Sequence, residues 1–163
     1  ALPDYLRLPF ALACLTGIRP RGELERLQWE HVDRERAQIR MPGAITKTRQ
    51  ERTLYQLPPA VWEWVRWECE RQDQPGKRRG YARPEYVMPI TYRHYQARVQ
   101  AACPVRWRHD MTRHSFASYG YHVLGAERTV ELMGHVGGYG LFARRYKTAA
   151  DPEVAAAWFA VGP

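Results

Sequence analysis

The stretch Arg36-Ala37-Gln38-Ile39-Arg40-Met41 alternates polar and apolar side chains, and so does Glu51-Arg52-Thr53-Leu54-Tyr55-Gln56-Leu57. A period of two puts successive side chains on opposite faces of a strand. Between the runs lie Pro42-Gly43 and the polar Thr46-Lys47-Thr48-Arg49-Gln50, an interval suited to a turn. The pattern predicts a small antiparallel sheet of two or three strands.

The flanking chain reads as helix. Before the sheet, Leu6, Leu8, Pro9, Phe10, Leu12, Ala13 and Leu15 form an apolar helix-like stretch that ends at Thr16-Gly17. Pro20 and Gly22 punctuate next. In Glu23-Leu24-Glu25-Arg26-Leu27-Gln28-Trp29, Leu24 and Leu27 are expected on one helical face with Val32. After the sheet, Pro58-Pro59 opens a helix carrying Val61, Trp62, Trp64, Val65 and Trp67. Residues 73–84 read as a basic loop without hydrophobic periodicity. Further helices are expected at about 91–103, 110–124, 126–134, 139–147 and 151–160. The expected fold class is mainly α with a small antiparallel β-sheet near the N-terminus.

A chain of 163 residues suits one domain with a sizeable core, here taken as residues 1–163. Ala1-Leu2-Pro3-Asp4-Tyr5 lacks the basic and apolar regions of a signal peptide and runs at once into helix-like pattern. The expectation is a domain preceded, in the whole protein, by an N-terminal part. No apolar run approaches the length of a bilayer span, so no membrane partner is expected.

The net charge is +8, from 25 Lys+Arg against 17 Asp+Glu. That favours a polyanionic partner, of which nucleic acid is the usual one. The plainer alternative is a basic protein with no such partner. Cys14, Cys69 and Cys103 are far apart, odd in number and without a Cys-x-x-Cys. They read as small apolar residues in a reducing, cytoplasmic setting, with no zinc or other metal site.

Breaking a phosphodiester without a metal needs a nucleophile, cations for the non-bridging oxygens and an acid for the leaving oxygen. Arginine suits the second task because its planar fork binds two oxygens at once. Arg19, in Thr16-Gly17-Ile18-Arg19, stands at a glycine-punctuated junction where a side chain can turn into a cleft, with Glu23 placed to orient it. Lys47 stands at the turn between the predicted strands. His109 and Arg113, in His109-Asp110-Met111-Thr112-Arg113-His114-Ser115-Phe116-Ala117, are about 40° apart around a helix and one turn displaced. Phe116, Ala117 and Tyr121 are expected to pack the opposite side. His114 reads as a buried, hydrogen-bonded histidine. His135 follows Leu132-Met133-Gly134, where Gly134 can adopt the left-handed conformation that ends a helix. Tyr146 lies among Arg144, Arg145 and Lys147. Each residue taken singly also fits an ordinary solvated or core role.

Taken in order, these segments resemble the tyrosine recombinase (phage integrase) family. There a Thr-Gly-x-Arg box leads a Glu-Leu helix, and a Thr-Lys hairpin follows. A His-x-x-Arg-His-Ser/Thr-Phe-Ala box, a Leu-Gly-His and the nucleophilic tyrosine complete the order. The matching residues are Thr16-Gly17-Ile18-Arg19 with Glu23-Leu24, Thr46-Lys47-Thr48, His109 to Ala117, Met133-Gly134-His135 and Tyr146. The resemblance covers essentially the whole chain and implies the family's catalytic-domain fold. It also implies DNA recombination or integration by site-specific strand cleavage and rejoining, as in a mobile element. Arg19 and Arg113 would clamp the scissile phosphate, with His109 and His135 supporting proton transfer and phosphate binding. Lys47 would be the general acid for the 5′-oxygen, and Tyr146 would form the 3′-phosphotyrosine. Bond energy is conserved, so no cofactor, ATP or metal is required.

Double-stranded DNA is the implied partner, with self-association on DNA, in a prokaryotic or phage setting near the nucleoid. Arg19 stands four residues before Glu23, where the family has three. Asp110 takes the position three before Arg113 that the family gives to histidine, so His109 and Asp110 both remain candidates for that role. The C-terminal Pro152 to Phe159 reads as a short apolar helix that docks either on a neighbouring protomer or on its own domain.

The alternative function is a non-catalytic basic DNA-binding module or an inactive recombinase relative. A type IB topoisomerase-like relaxer shares the chemistry, and a metal-dependent nuclease lacks a carboxylate cluster with ligand spacing. Without the N-terminal DNA-gripping domain that the resemblance implies, binding to DNA is expected to be weak and to fall steeply with salt. A gel shift across a salt series checks it, and tight, salt-indifferent binding contradicts it.

Overall fold

In the computed structural model, residues 1–72, 82–108, 110–134, 139–146 and 150–163 are described. Most of the basic loop expected at 73–84 lies outside them, as do His109, His135, Gly137, Gly138 and Lys147. The described elements run α1 (Asp4–Leu15), β1 (Val32–Asp33), β2 (Gln38–Met41), β3 (Arg52–Leu54), α2 (Pro59–Gln72) and α3 (Tyr92–Ala102). They continue with α4 (Met111–Val123), α5 (Ala126–Met133), α6 (Tyr139–Tyr146) and α7 (Pro152–Phe159).

The chain is mainly helical, with one antiparallel sheet in the order β1-β2-β3 near its N-terminus. Ile39 pairs with Val32 on one side and Leu54 on the other, and Met41 pairs with Arg52. Ile39, Met41 and Leu54 are buried while Arg40 and Thr53 are exposed, the two-residue alternation of the sequence.

One expected helix does not form. Residues 23–29 contain a 3-10 turn at Leu24–Arg26, and a second at Trp29–His31 follows. Between them Leu27 is extended. The reason is a long-range pairing. The Trp29 N–H donates to Glu85 O at 3.1 Å, and the Val87 N–H donates to Leu27 O at 2.9 Å. Leu24 and Leu27 are still fully buried, as the apolar spacing predicts, although the backbone there is not an α-helix. Val32, expected on that helical face, is half-buried in β1.

α4 is the central element. It buries Thr112, Arg113, Phe116, Ala117 and Gly120, and α1, α5, α6 and α7 pack against it. At Gly120 a side chain would begin 2.9 Å from Thr129, so the bare backbone admits α5. The sheet is pinned to α5 as well. Tyr55 Oη donates to Glu131 Oε1 at 2.8 Å, and Arg128 donates to the Tyr55 carbonyl.

α7 lies on its own domain. Phe159 meets Phe116 edge-on at 5.8 Å between ring centroids, and Trp158 Nε1 donates to Cys14 O at 3.2 Å. Cys14 is buried, which pushes its thiol pKa up, and Cys69 and Cys103 are half-buried. Among the described residues no helix is long and apolar enough to cross a membrane.

Gly17 ends the first helical segment with φ +69°, a left-handed conformation that suits glycine. An added Cβ would stand 2.5 Å from Phe116 Cδ1 and 3.0 Å from Met133 Cγ. Backbone strain and overpacking therefore coincide. Gly17→Ala is expected to destabilise the fold by about 2–4 kcal/mol. Urea unfolding measures it, and a midpoint equal to that of the unsubstituted chain contradicts it.

Candidate active site

Glu23 is 1% exposed, and a carboxylate so placed requires cationic partners. Arg19 supplies one, with Nη1 donating to Oε1 at 3.0 Å and its backbone N–H donating to Oε2 at 3.0 Å. Arg52, on β3, supplies the second, with Nη2 donating to Oε2 at 2.9 Å. Burial works to raise the Glu23 pKa. The hydrogen bonds and charges of Arg52 and Arg19 outweigh it and hold the carboxyl below its usual value.

Arg52 also packs across Gly134, where an added Cβ would stand 2.9 Å from its guanidinium. Gly134 has φ +58° and closes α5 in the left-handed conformation expected of it. Arg52 thus ties the Arg19 turn to the end of α5.

Lys47 is exposed on the loop joining β2 to β3. The loop is narrow because Thr46, buried within it, donates from its hydroxyl to Gln50 O at 2.9 Å and Gly43 O at 3.2 Å. The ordered turn presents Lys47 toward the Arg19 turn. Arg19, Arg21, Gly22, Glu23, Arg26, Ile45, Thr46, Lys47 and Asp110 line one cleft of about 420 Å³. Two segments chosen separately from the sequence, around Arg19 and Lys47, therefore meet. The lining carries four cations, Arg19, Arg21, Arg26 and Lys47, against two carboxylates, Glu23 and Asp110. Asp110 stands at the start of α4 in a left-handed conformation with φ 57°.

Arg113 is 5% exposed. Its Nη1 donates to Gly17 O and its Nη2 to Met133 O at 2.7 Å. Burial first, then the charges of Arg19 and Arg52, lower its pKa to about 10, with Glu23 and Asp110 acting the other way. It remains a cation at neutral pH. Arg113 is therefore close enough to feel the cleft's charges, but it does not line the cleft.

Tyr146, half-buried on α6, does not line the cleft either. Its ring packs on Phe142 at 4.8 Å between centroids, and its hydroxyl lies 2.8 Å from His114 Nδ1. His114, expected to be buried, is exposed. Thr112, Arg113, Phe116, Ala117 and Gly120 take the inner face of α4, which leaves position 114 on the open side. α4 begins at Met111, and the helical face expected for His109 with Arg113 involves a residue outside the described ones.

No protein-family model, curated protein or solved structure matches the chain.

Arg52 is a residue of the site that the sequence pattern did not single out, and the exposure of His114 differs from the expectation. Arg52 shares the inward face of β3 with Leu54, and that alternation was the signal that it points inward. His114 was betrayed by the same helical spacing that marks Phe116 and Ala117 as core. Among the described residues, no group of three or more His, Cys, Asp or Glu side chains is arranged to hold a metal.

Because the folded pKa of Glu23 is depressed, its ionisation stabilises the fold above the unfolded value of about 4.5 and that contribution is lost as pH falls through the folded value. Removing its charge also leaves two partly buried arginines unpaired. Glu23→Gln is expected to cost about 3 kcal/mol at neutral pH and to flatten the loss of stability below pH 4.5. Urea unfolding from pH 7 downward checks both, and parallel curves for the two proteins contradict the assignment.

Proposed function

We propose that this chain is the catalytic domain of a tyrosine-type site-specific recombinase, with the corresponding fold. It cleaves and rejoins double-stranded DNA through a 3′-phosphotyrosine on Tyr146. The observation that carries the reading is the meeting of Arg19 and Lys47 in one cleft of about 420 Å³ whose charged lining is net positive. The two residues belong to segments that the family order pairs. In isolation neither segment would merit attention.

In this reading Arg19 and Arg113 neutralise charge on the scissile phosphate, and Lys47 protonates the departing 5′-oxygen. The exchange of one phosphodiester for a phosphotyrosine keeps the bond energy, and a second DNA end attacks to restore the duplex. His109 and His135 keep the supporting roles that the resemblance gives them. The net charge of +8 supports a DNA partner, and assembly of several copies on DNA belongs to the same reading.

A second reading has its own observation. Arg113 donates to two backbone carbonyls, and Tyr146 lies outside the cleft lining. Those are features of a basic DNA-binding module that does not cleave.

Covalent trapping separates the two. The chain is incubated with nicked suicide duplexes of randomised sequence and run on denaturing gels. The recombinase reading expects a protein–DNA adduct that Tyr146→Phe abolishes and that Lys47→Ala and Arg19→Ala reduce by about 10²-fold or more. DNA retained on native gels without any adduct supports the binding module.

A further inference from the structure

We infer that His114, rather than His109 or His135, takes the proton from Tyr146 when that tyrosine attacks phosphorus. The inference rests on the cleavage reading above and names a catalytic residue within it.

A phenol ionises near pH 10, so at neutral pH an attacking tyrosine must lose its proton to a neighbour. The acceptor must lie within hydrogen-bond reach of the hydroxyl. His114 Nδ1 meets that condition at 2.8 Å from Tyr146 Oη. With the proton of the neutral imidazole on Nε2, Nδ1 is the acceptor and the phenol donates.

The pairing is held from both sides. His114 sits on α4, directly after Arg113, whose guanidinium is fixed by Gly17 O and Met133 O. Tyr146 is steadied by Phe142 one helical turn earlier on α6, and its ring lies 6.2 Å from the imidazole at an interplanar angle of 32°. One rigid helix therefore carries a phosphate-binding candidate and the nucleophile's partner on adjacent faces.

The protons balance between His114 and Lys47. Tyr146 Oη bonds to phosphorus while its proton passes to His114 Nδ1. The bond from phosphorus to the 5′-oxygen breaks, and that oxygen takes a proton from Lys47. In the reverse step the 5′-hydroxyl returns its proton to Lys47, and His114 returns its own to the freed Tyr146.

The test uses the full chain on the nicked suicide duplexes. His114→Gln, a change at an exposed position, is expected to slow adduct formation by about 10²-fold or more without altering the gel shift or the urea unfolding midpoint. A fluorinated tyrosine at position 146, with a more acidic phenol, is expected to recover most of that loss in the His114→Gln background. A role limited to positioning the ring gives no such selective recovery. An unchanged rate in His114→Gln, or a loss that the fluorinated tyrosine does not recover, overturns the assignment and leaves Tyr146 as nucleophile. Absence of adduct from the unsubstituted chain overturns the cleavage reading and this inference with it.

Discussion

A carboxylate removed from water imposes conditions on everything around it, and Glu23 is such a carboxylate, 1% exposed. Its two oxygens need charged donors, and they draw Arg19 from the preceding turn and Arg52 from the sheet. Isolated surface ion pairs contribute little to folding. This one is enclosed, shared among three residues and bridges elements far apart in sequence. The position of Arg19 is thus set from below, by chemistry that solvent reaches poorly, and its outer face is left to line the cleft.

The same logic extends through Arg52. Its guanidinium lies between Glu23 and the bare backbone of Gly134, so the sheet, the first turn and the end of α5 converge on one planar cation. Tyr55 and Arg128 repeat the connection on the outer edge. The small sheet, three short strands in a mostly helical chain, is therefore more than an ornament on the bundle. It delivers Lys47 on its loop and holds the α5 terminus.

Much of this was legible in the sequence. The alternation of Gln38 to Met41 and Arg52 to Leu54 marked the sheet because period two survives in any half-buried strand. The helices from Pro59 onward announced themselves by spacing and punctuation. The region after Gly22 did not, because its backbone is decided by residues 85–87, and a local window cannot see a partner so distant in the chain. Of the candidate site, Arg19 and Lys47 were found by segment order and do share a cleft. Arg113 was named too, but it does not line that cleft, and its burial and its two carbonyl partners were hidden, since they depend on how α4 seats against Gly17 and Met133. The openness of His114 was written in the helical period and was overlooked because the residue type invites a core assignment.

Arg113 joins the carbonyl of Gly17, two residues before Arg19, to the carbonyl of Met133, next to Gly134. A residue with that duty is maintained by selection for a folded protein, whether or not any strand is ever cut. The presence of Arg113 is therefore explained by the fold alone, whereas the exposed Lys47 has no hydrogen bond or ion pair among the described residues that would explain it in the same way.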